Sequence, residues 1–253
     1  MRKEINFRQL GGYAIKEKTI RRNVIYRCGA LGDCSEEERQ EIAALGIRTI
    51  LDFRSDGERR HVPDPEIPGA VNLFVPAWIN KDGEQLDMSP AGIERIIGQK
   101  NSSETGLNLF LRYMYEGMLF RSHAYQVMFD ALLDEDVPLL FHCSAGKDRT
   151  GTAAILILLA LGADEELITK DYLLTNDYRK AVIERVMAEK ADLIARDPEE
   201  KDKVIAYEGV FEQCVHYVLD GILARYPDYD AYLEAEFGLT KAKRQKLRDL
   251  YLE

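Results

Sequence analysis

No run of apolar residues in this 253-residue chain is long enough to cross a bilayer; the longest, 153–161, falls well short of the roughly 20 residues a spanning helix needs. The N-terminal stretch M-R-K-E-I-N-F-R-Q-L-G-G-Y has basic residues but no apolar segment of the kind a secretory leader carries. Cysteine is scarce, four residues with no C-x-x-C spacing, which fits a reducing compartment and excludes a disulfide-stapled scaffold. Internal repeats, low-complexity tracts and a convincing linker are also missing. Positive charge is in deficit: 34 Lys and Arg stand against 44 Asp and Glu, a net charge of −10. That balance argues against a general binder of nucleic acid or anionic membranes, while leaving room for a local basic pocket. The expectation is a cytoplasmic protein without stable membrane insertion, with non-classical secretion left open and oligomeric state unreadable.

What is present is ordinary for a folded chain, 46% hydrophobic and 31% charged. A chain of this length buries about three quarters of its unfolded surface without staples. Its first half alternates strand and helix signals. Residues 24–26 form a short β-rich run. Ser35, followed three residues later by Glu38, is a capping box that opens a helix carrying Ile42, Ala43 and Leu45 inwards and stopping at Gly46. Strand candidates follow at 47–53, 70–75 and 137–141. Strands separated by helices predict an α/β fold, a mostly parallel central sheet flanked by helices. Residues 76–108 are loose in pattern, 106–133 are helical, and the last ninety are nearly all helical, broken at Pro198, Pro227 and Gly238. One domain, 1–253, is expected, with 76–108 and 164–215 as helical lid or embellishment segments.

The segment V-P-L-L-F-H-C-S-A-G-K-D-R-T-G, residues 137–151, carries the chemistry. A buried strand runs into a tight loop, and the loop into an apolar helix over 152–161. Successive backbone N–H groups in such a turn point inward as a nest, and the helix start adds about half a positive charge. Gly146 and Gly151 let the backbone curl and approach closely. A thiol at Cys143, in the mouth of that field, is expected to ionise readily. Arg149 can fold back, its planar fork matching two oxygens of a phosphate group as lysine cannot. A thiolate and a bidentate arginine in one anion-cradling loop suit phosphate-ester hydrolysis through a cysteinyl-phosphate.

The sequence H-C-S-A-G-K-D-R-T-G resembles the signature of the cysteine-based protein tyrosine phosphatase superfamily. Further segments are similar to its bacterial and fungal branch: N-F-R-Q-L-G-G-Y from Asn6, Y-R-C-G-A-L from Tyr26, T-I-L-D-F-R-S from Thr49, D-Y-L-L-T-N from Asp171, and the tail 232–250. The resemblance covers nearly the whole chain. Gln9 stands where the branch has aspartate and Cys28 where it has serine, so no carboxylate role carries over to position 9. Cys28 reads equally as an accessory thiol or a small buried residue.

The resemblance implies a tyrosine-phosphatase-like fold, Cys143 as nucleophile, Arg149 as phosphate clamp, and Ser144, Ala145, Gly146, Lys147 and Thr150 lining the phosphate site. It also implicates Asp52 and Asp148 in proton transfer. Asp52, at a strand end where α/β sheets place their sites, is the favoured general acid; a salt bridge to Arg54 or Arg27 is the alternative. Asp148 reads as the second acid or as a loop-shaping acceptor. His142 is expected to hydrogen-bond the loop backbone, and His61, His123 and His216 to be surface or packing residues. Cys214 and His216 have no second pair at ligand spacing, so no metal or other cofactor is expected. Gly146-Lys147 does not make a nucleotide P-loop, because Phe141 and Asp148 stand where Gly and Ser/Thr are needed.

The expected partners are a phosphorylated protein or a phosphoinositide, with Lys147 as a second cation at the rim favouring the lipid and dual specificity. A phosphate-binding pseudophosphatase is the alternative; it would lack Cys143 or Arg149, and both are present. A sulfur transferase would have no need of the Arg-Thr pair.

Overall fold

The computed structural model describes residues 3–86 and 106–253. Most of the loose segment anticipated at 76–108 therefore lies outside the described residues. A five-stranded sheet has β1 (Arg8–Gln9), β4 (Ile25–Cys28), β7 (Leu139–His142), β5 (Thr49–Asp52) and β6 (Val71–Phe74) side by side in that order. The last four run parallel, and β1 is an antiparallel edge. A separate hairpin pairs β2 (Ala14–Ile15) with β3 (Lys18–Thr19). The α/β, mostly parallel expectation holds. The edge strand was not anticipated, because two polar residues carry no alternating pattern to read.

Register brings the carboxyl ends of the parallel strands into one row. Cys28 pairs with His142, His142 with Asp52, and Asp52 with Phe74. The loop that follows His142 therefore emerges at the edge where parallel sheets expose their sites. Alternation sorts the side chains into two faces. Leu51, Phe53, Phe141 and Cys143 belong to the larger core, while Tyr26, Cys28, Ile50 and Leu140 pack with Ile42 of helix α1 (Glu36–Ala44). The capping box anticipated at Ser35 and Glu38 is present, and Gly46 turns the chain with a φ of 66°.

Helix α2 (Asp56–His61) follows β5. The helical stretch read over 106–133 is two helices, α3 (Gly106–Gly117) and α4 (His123–Leu133). The chain reverses at Arg121, with φ 56°, and Ser122 caps the second helix through Tyr125 N–H. Helix α5 (Asp148–Leu161) is buried from Arg149 to its end and forms the centre of the molecule. It starts four residues before the predicted apolar run, which places Arg149 and Thr150 on its first turn.

Seven helices complete the described chain: α6 (Glu165–Tyr178), α7 (Lys180–Glu189), α8 (Ala191–Arg196), α9 (Glu199–Glu208), α10 (Gln213–Leu223), α11 (Tyr229–Phe237) and α12 (Lys241–Tyr251). Pro198, Pro227 and Gly238 mark three of the breaks, as anticipated, but those at Arg179 and Lys190 carry neither proline nor glycine. Among the described residues no helix is long and apolar enough to cross a membrane.

Behind the sheet edge, three separated sequence segments meet in a buried polar knot. Asp171 of α6 accepts from Arg27 Nη1 at 2.7 Å, from Arg8 Nε at 3.3 Å and from Tyr13 OH at 2.9 Å. Arg8 also donates to the Asp171 carbonyl and to Thr175 Oγ1. Burial opposes ionisation of Asp171, but Arg8 and Arg27 outweigh it and hold its carboxyl below the usual range. Burial, with Arg8 beside it, pulls Arg27 down to about 10, so Arg27 stays charged at neutral pH.

Removing one partner of such a knot strands buried charge, at a cost of roughly 3–5 kcal/mol. Asp171→Asn should therefore melt well below wild type. Since the native carboxyl lies below its unfolded value, its stabilisation is complete above about pH 4 and is lost as pH falls through the native value. Denaturant titrations of both proteins between neutral pH and pH 3 check this: the gap should be wide at neutrality and narrow in acid, and a constant gap would refute it.

Candidate active site

Between His142 and α5 the chain makes one tight loop, and Gly146 is the residue that lets it close. Its φ is 66°, and a Cβ there would come within 2.5 Å of the Cys28 carbonyl. Only glycine fits both requirements. Loop carbonyls are drawn outward: that of Gly146 accepts from Asn6 Nδ2 at 2.8 Å and Arg27 Nη2 at 3.0 Å, and that of Ser144 from Ala30 N–H at 2.9 Å. Asn6 Nδ2 also reaches the Ala145 carbonyl. A turn whose carbonyls face outward leaves its N–H groups on the concave side, where an oxyanion would sit.

Cys143 is buried, as are the other three cysteines, and all four are free thiols. Cys28 lies in the smaller core, and burial, with Cys34 and Asp64 nearby, pushes its thiol well above the ordinary value. Arg149 projects from the first turn of α5 into the same loop. Its Nη1 and Nη2 donate to the two carboxylate oxygens of Glu58 at 2.7 and 2.8 Å, and its guanidinium lies 4.0 Å from the centre of the Trp78 ring. Burial works against that charge; the Glu58 hydrogen bonds and the neighbouring Cys143 overcome it and raise Arg149 above its ordinary value. Arg149 Nε and Thr150 Oγ1 are buried without a hydrogen-bond partner among the described residues.

Glu58 escaped the sequence reading. It is the third residue of α2, where Ser55 and Glu58 form a capping box, the same pattern read at Ser35 and Glu38. Its carboxylate accepts from Ser55 N–H at 2.8 Å, from Ser144 Oγ at 2.5 Å and from both Arg149 nitrogens. Burial would raise it, but Arg149 and Ser144 hold it far below the carboxylate range. The helix cap thus doubles as the bracket for the loop arginine.

Asp148 opens α5 with its side chain 18% exposed. Its oxygens lie 3.2 and 3.0 Å from Lys147 Nζ, and Oδ1 accepts from Tyr115 OH at 2.5 Å. Lys147 itself is buried, donating also to the Ala206 carbonyl in the last turn of α9. It is not the open rim cation that the sequence suggested.

The structure does not bring Asp52 to this loop. Alternation puts it on the face of Ile50, opposite Cys143. It is 1% exposed and accepts from Arg54 Nε and Nη2 at 2.9 and 2.8 Å and from Arg54 N–H at 3.0 Å. The salt bridge to Arg54 weighed as the alternative is what the chain forms. Arg54 also pairs with Asp64 at 2.7 Å. His142 lies between, its Nε2 3.1 Å from Asp64 and its Nδ1 3.3 Å from the Cys143 carbonyl, beside the loop backbone as expected. Asp52, Asp64 and His142 offer ligand atoms within 4.8 Å of one another, the one such grouping among the described residues. Arg54 already supplies the positive charge that the two carboxylates share. The remaining histidines are peripheral: His61 and His123 are exposed and His216 faces Glu165.

The whole chain, residues 1–253, matches the family model described as "Tyrosine phosphatase family". It is similar to a Cupriavidus necator protein named "Putative tyrosine-protein phosphatase", 29% identical over 74% of this chain and 66% of that one. It is similar to the triple specificity protein phosphatase PtpB of Mycobacterium tuberculosis, 28% identical over 68% of this chain and 67% of the relative. A tyrosine-protein phosphatase of Nostoc commune is 25% identical over 93% of this chain and 76% of its own length. Against the first two relatives the match spans about two thirds of their length.

If Glu58 is the bracket for Arg149, Glu58→Gln should leave the guanidinium held at one point instead of two. Turnover of an aryl phosphate should then fall about ten- to a hundredfold, in kcat more than in KM. Steady-state kinetics decide it: an unchanged kcat with a lower KM would mark Glu58 as a mere competitor for the anion site.

Proposed function

The chain belongs to this tyrosine phosphatase family, and we propose that it hydrolyses phosphate monoesters, protein phosphotyrosine foremost, through a cysteinyl-phosphate. The observation that carries the reading is the convergence of Cys143 and Arg149 on one glycine-pinned loop, with a buried Arg149 Nε–H that lacks an acceptor among the described residues. An equatorial phosphoryl oxygen is the acceptor such a buried donor calls for.

In this reading the Cys143 thiolate attacks phosphorus, a P–S bond forms and the ester P–O bond breaks. The loop N–H groups and Arg149 hold the equatorial oxygens as charge spreads over them. Ser144, Ala145, Gly146, Lys147 and Thr150 supply the rest of the cradle. Asp148 protonates the departing phenolate. Its carboxylate then takes a proton from water as that water attacks phosphorus, the P–S bond breaks, and thiolate and inorganic phosphate are released. Asp148 is preferred to Asp52 because it is partly exposed at the loop, whereas Asp52 gives both oxygens to Arg54.

Phosphoinositide hydrolysis is the narrower part of the proposal. Similarity to a relative named for triple specificity favours breadth. The setting of Lys147 favours phosphotyrosine, since a second cation for the lipid headgroup must first leave Asp148 and Ala206. The cytoplasmic setting and the single-domain organisation are further parts of the reading. So are 164–215 as a cover over the loop, supported by the Lys147 contact to Ala206.

Cys143→Ser should abolish turnover while vanadate binding remains measurable, since the loop amides and Arg149 persist. Arg149→Lys should be nearly as damaging, because a point charge does not reproduce a two-point clamp. Hydrolysis by the serine variant near the wild-type rate would exclude the mechanism, and loss of vanadate binding would show a loop that no longer folds.

The acid assignment has its own test. Asp148→Asn should depress kcat/KM for phosphotyrosine by about a hundredfold or more. It should have little effect on an aryl phosphate whose leaving group needs no proton. Asp52→Asn should lower thermal stability and affect both substrates alike; a leaving-group dependence appearing at Asp52 instead would reverse the assignment.

A further inference from the structure

Behind Asp148 lies a chain of buried hydroxyls that the chemistry above does not use. Tyr115 of α3 is 0% exposed and donates to Asp148 Oδ1. Its oxygen is also within hydrogen-bond distance of the hydroxyl of Tyr172 on α6, and Tyr172 reaches Cys214 of α10. The two rings meet edge to face at 70°. Gly151 of α5 makes room for them, for a Cβ there would come within 2.8 Å of the Tyr172 ring.

Two phenylalanines would fill these positions without taking hydroxyls out of water, a cost that a buried O–H repays only by finding partners. Here the terminal acceptor is the one partly exposed carboxylate of the loop. Burial, then Asp148 and Tyr172, hold the Tyr115 hydroxyl well above its ordinary value, so Tyr115 remains a donor throughout the neutral range. The other groups facing Asp148 are Lys147 beside it in the loop, Arg149 on the same helix, Tyr125 of α4, and Cys214 across Tyr172.

Building on the reading of Asp148 as proton donor, we propose that Tyr115 is its positioning residue: the Tyr115 hydroxyl fixes the rotation of the carboxyl group so that its proton faces the leaving oxygen, and Tyr172 orders Tyr115 in turn. A residue that only fills space at this position would slow every substrate equally. A positioning residue acts where proton transfer matters.

The test compares kcat/KM for a phosphotyrosine peptide and an activated aryl phosphate across pH, in wild type, Tyr115→Phe, Tyr172→Phe, Asp148→Asn and Tyr115→Phe/Asp148→Asn. For Tyr115→Phe we expect about a tenfold loss on phosphotyrosine and near-wild-type rates on the activated ester. Its basic limb should move to higher pH, since a hydrogen-bond donor to the carboxylate is gone. Tyr172→Phe should follow in the same direction with a smaller shift, and Tyr115→Phe should add nothing once Asp148 is Asn. Equal losses on both substrates or an unmoved limb in Tyr115→Phe overturn the proposal; if that variant does not fold, the same outcomes in Tyr172→Phe do so. A responsive Asp148→Asn beside an unresponsive Tyr115→Phe overturns this proposal alone, whereas a flat response of Asp148→Asn overturns the acid assignment and this proposal with it.

Discussion

Arg27 bridges the Asp171 carboxylate and the Gly146 carbonyl, and the rest of the site depends on that bridge. A guanidinium with no exposed surface needs acceptors, and here Nη1 and Nη2 find a helix carboxylate on one side and the loop backbone on the other, while Nε has no partner among the described residues. Buried ion pairs of this kind contribute little net stability compared with an apolar core, but breaking one is expensive. Their effect is to make one geometry much cheaper than its neighbours. With Asn6 on the same carbonyl and Cys28 pressed against Gly146, the loop has one curvature available to it. Four distant segments, around residues 6–8, 27, 146 and 171–175, are thereby closed into one structure.

A second bracket works from the opposite side. Arg149 is gripped by Glu58, and Lys147 by Asp148, so each cation of the loop already has its own carboxylate. The pocket is therefore not a bare positive patch, which accords with a chain of net charge −10. In the proposed reading, attraction for an oxyanion rests on the loop amides, the helix start and the unmet Nε–H of Arg149. Such a site gains little from long-range charge alone.

Much of this was legible in the sequence, and the exceptions have physical reasons. The glycine-bounded loop between a buried strand and an apolar helix could be read because its residue types are required by local geometry. The segments at Asn6, Tyr26 and Asp171 were recognisable by resemblance, but nothing in their order said that they meet behind the loop. Asp52 shows the limit of strand-end reasoning. An aspartate at the end of a parallel strand reads the same whether it faces the pocket or the next layer, and one step of pleat parity decides between them. Lys147 was misjudged in the same way: a lysine beside a loop tip reads as solvated until the helix that covers it is known. Glu58 was within reach, since its capping box is as plain as that of Glu38, but a cap that also holds an arginine ninety-one residues away is a tertiary fact.

The assignments proposed here put nucleophile, acid and clamp within residues 143–149, on one strand-to-helix turn. Their mutual distances are then set by a few backbone dihedrals instead of by the docking of separate loops. The sheet, the Arg27 bridge to Asp171 of α6 and the Glu58 bracket keep those dihedrals in place, while Tyr115 of α3 and Tyr172 of α6 are, in this proposal, what sets the rotation of the Asp148 carboxyl. Such a division makes the chemistry tolerant of variation in the outer helices and intolerant of it at Gly146, where the φ of 66° and the contact with Cys28 leave no second residue type that fits. Beyond the breaks at Arg179 and Lys190, α9 meets the loop through the Ala206 carbonyl on Lys147, whereas α6 is joined to it by Asp171 through Arg27 and by Tyr172 through Tyr115.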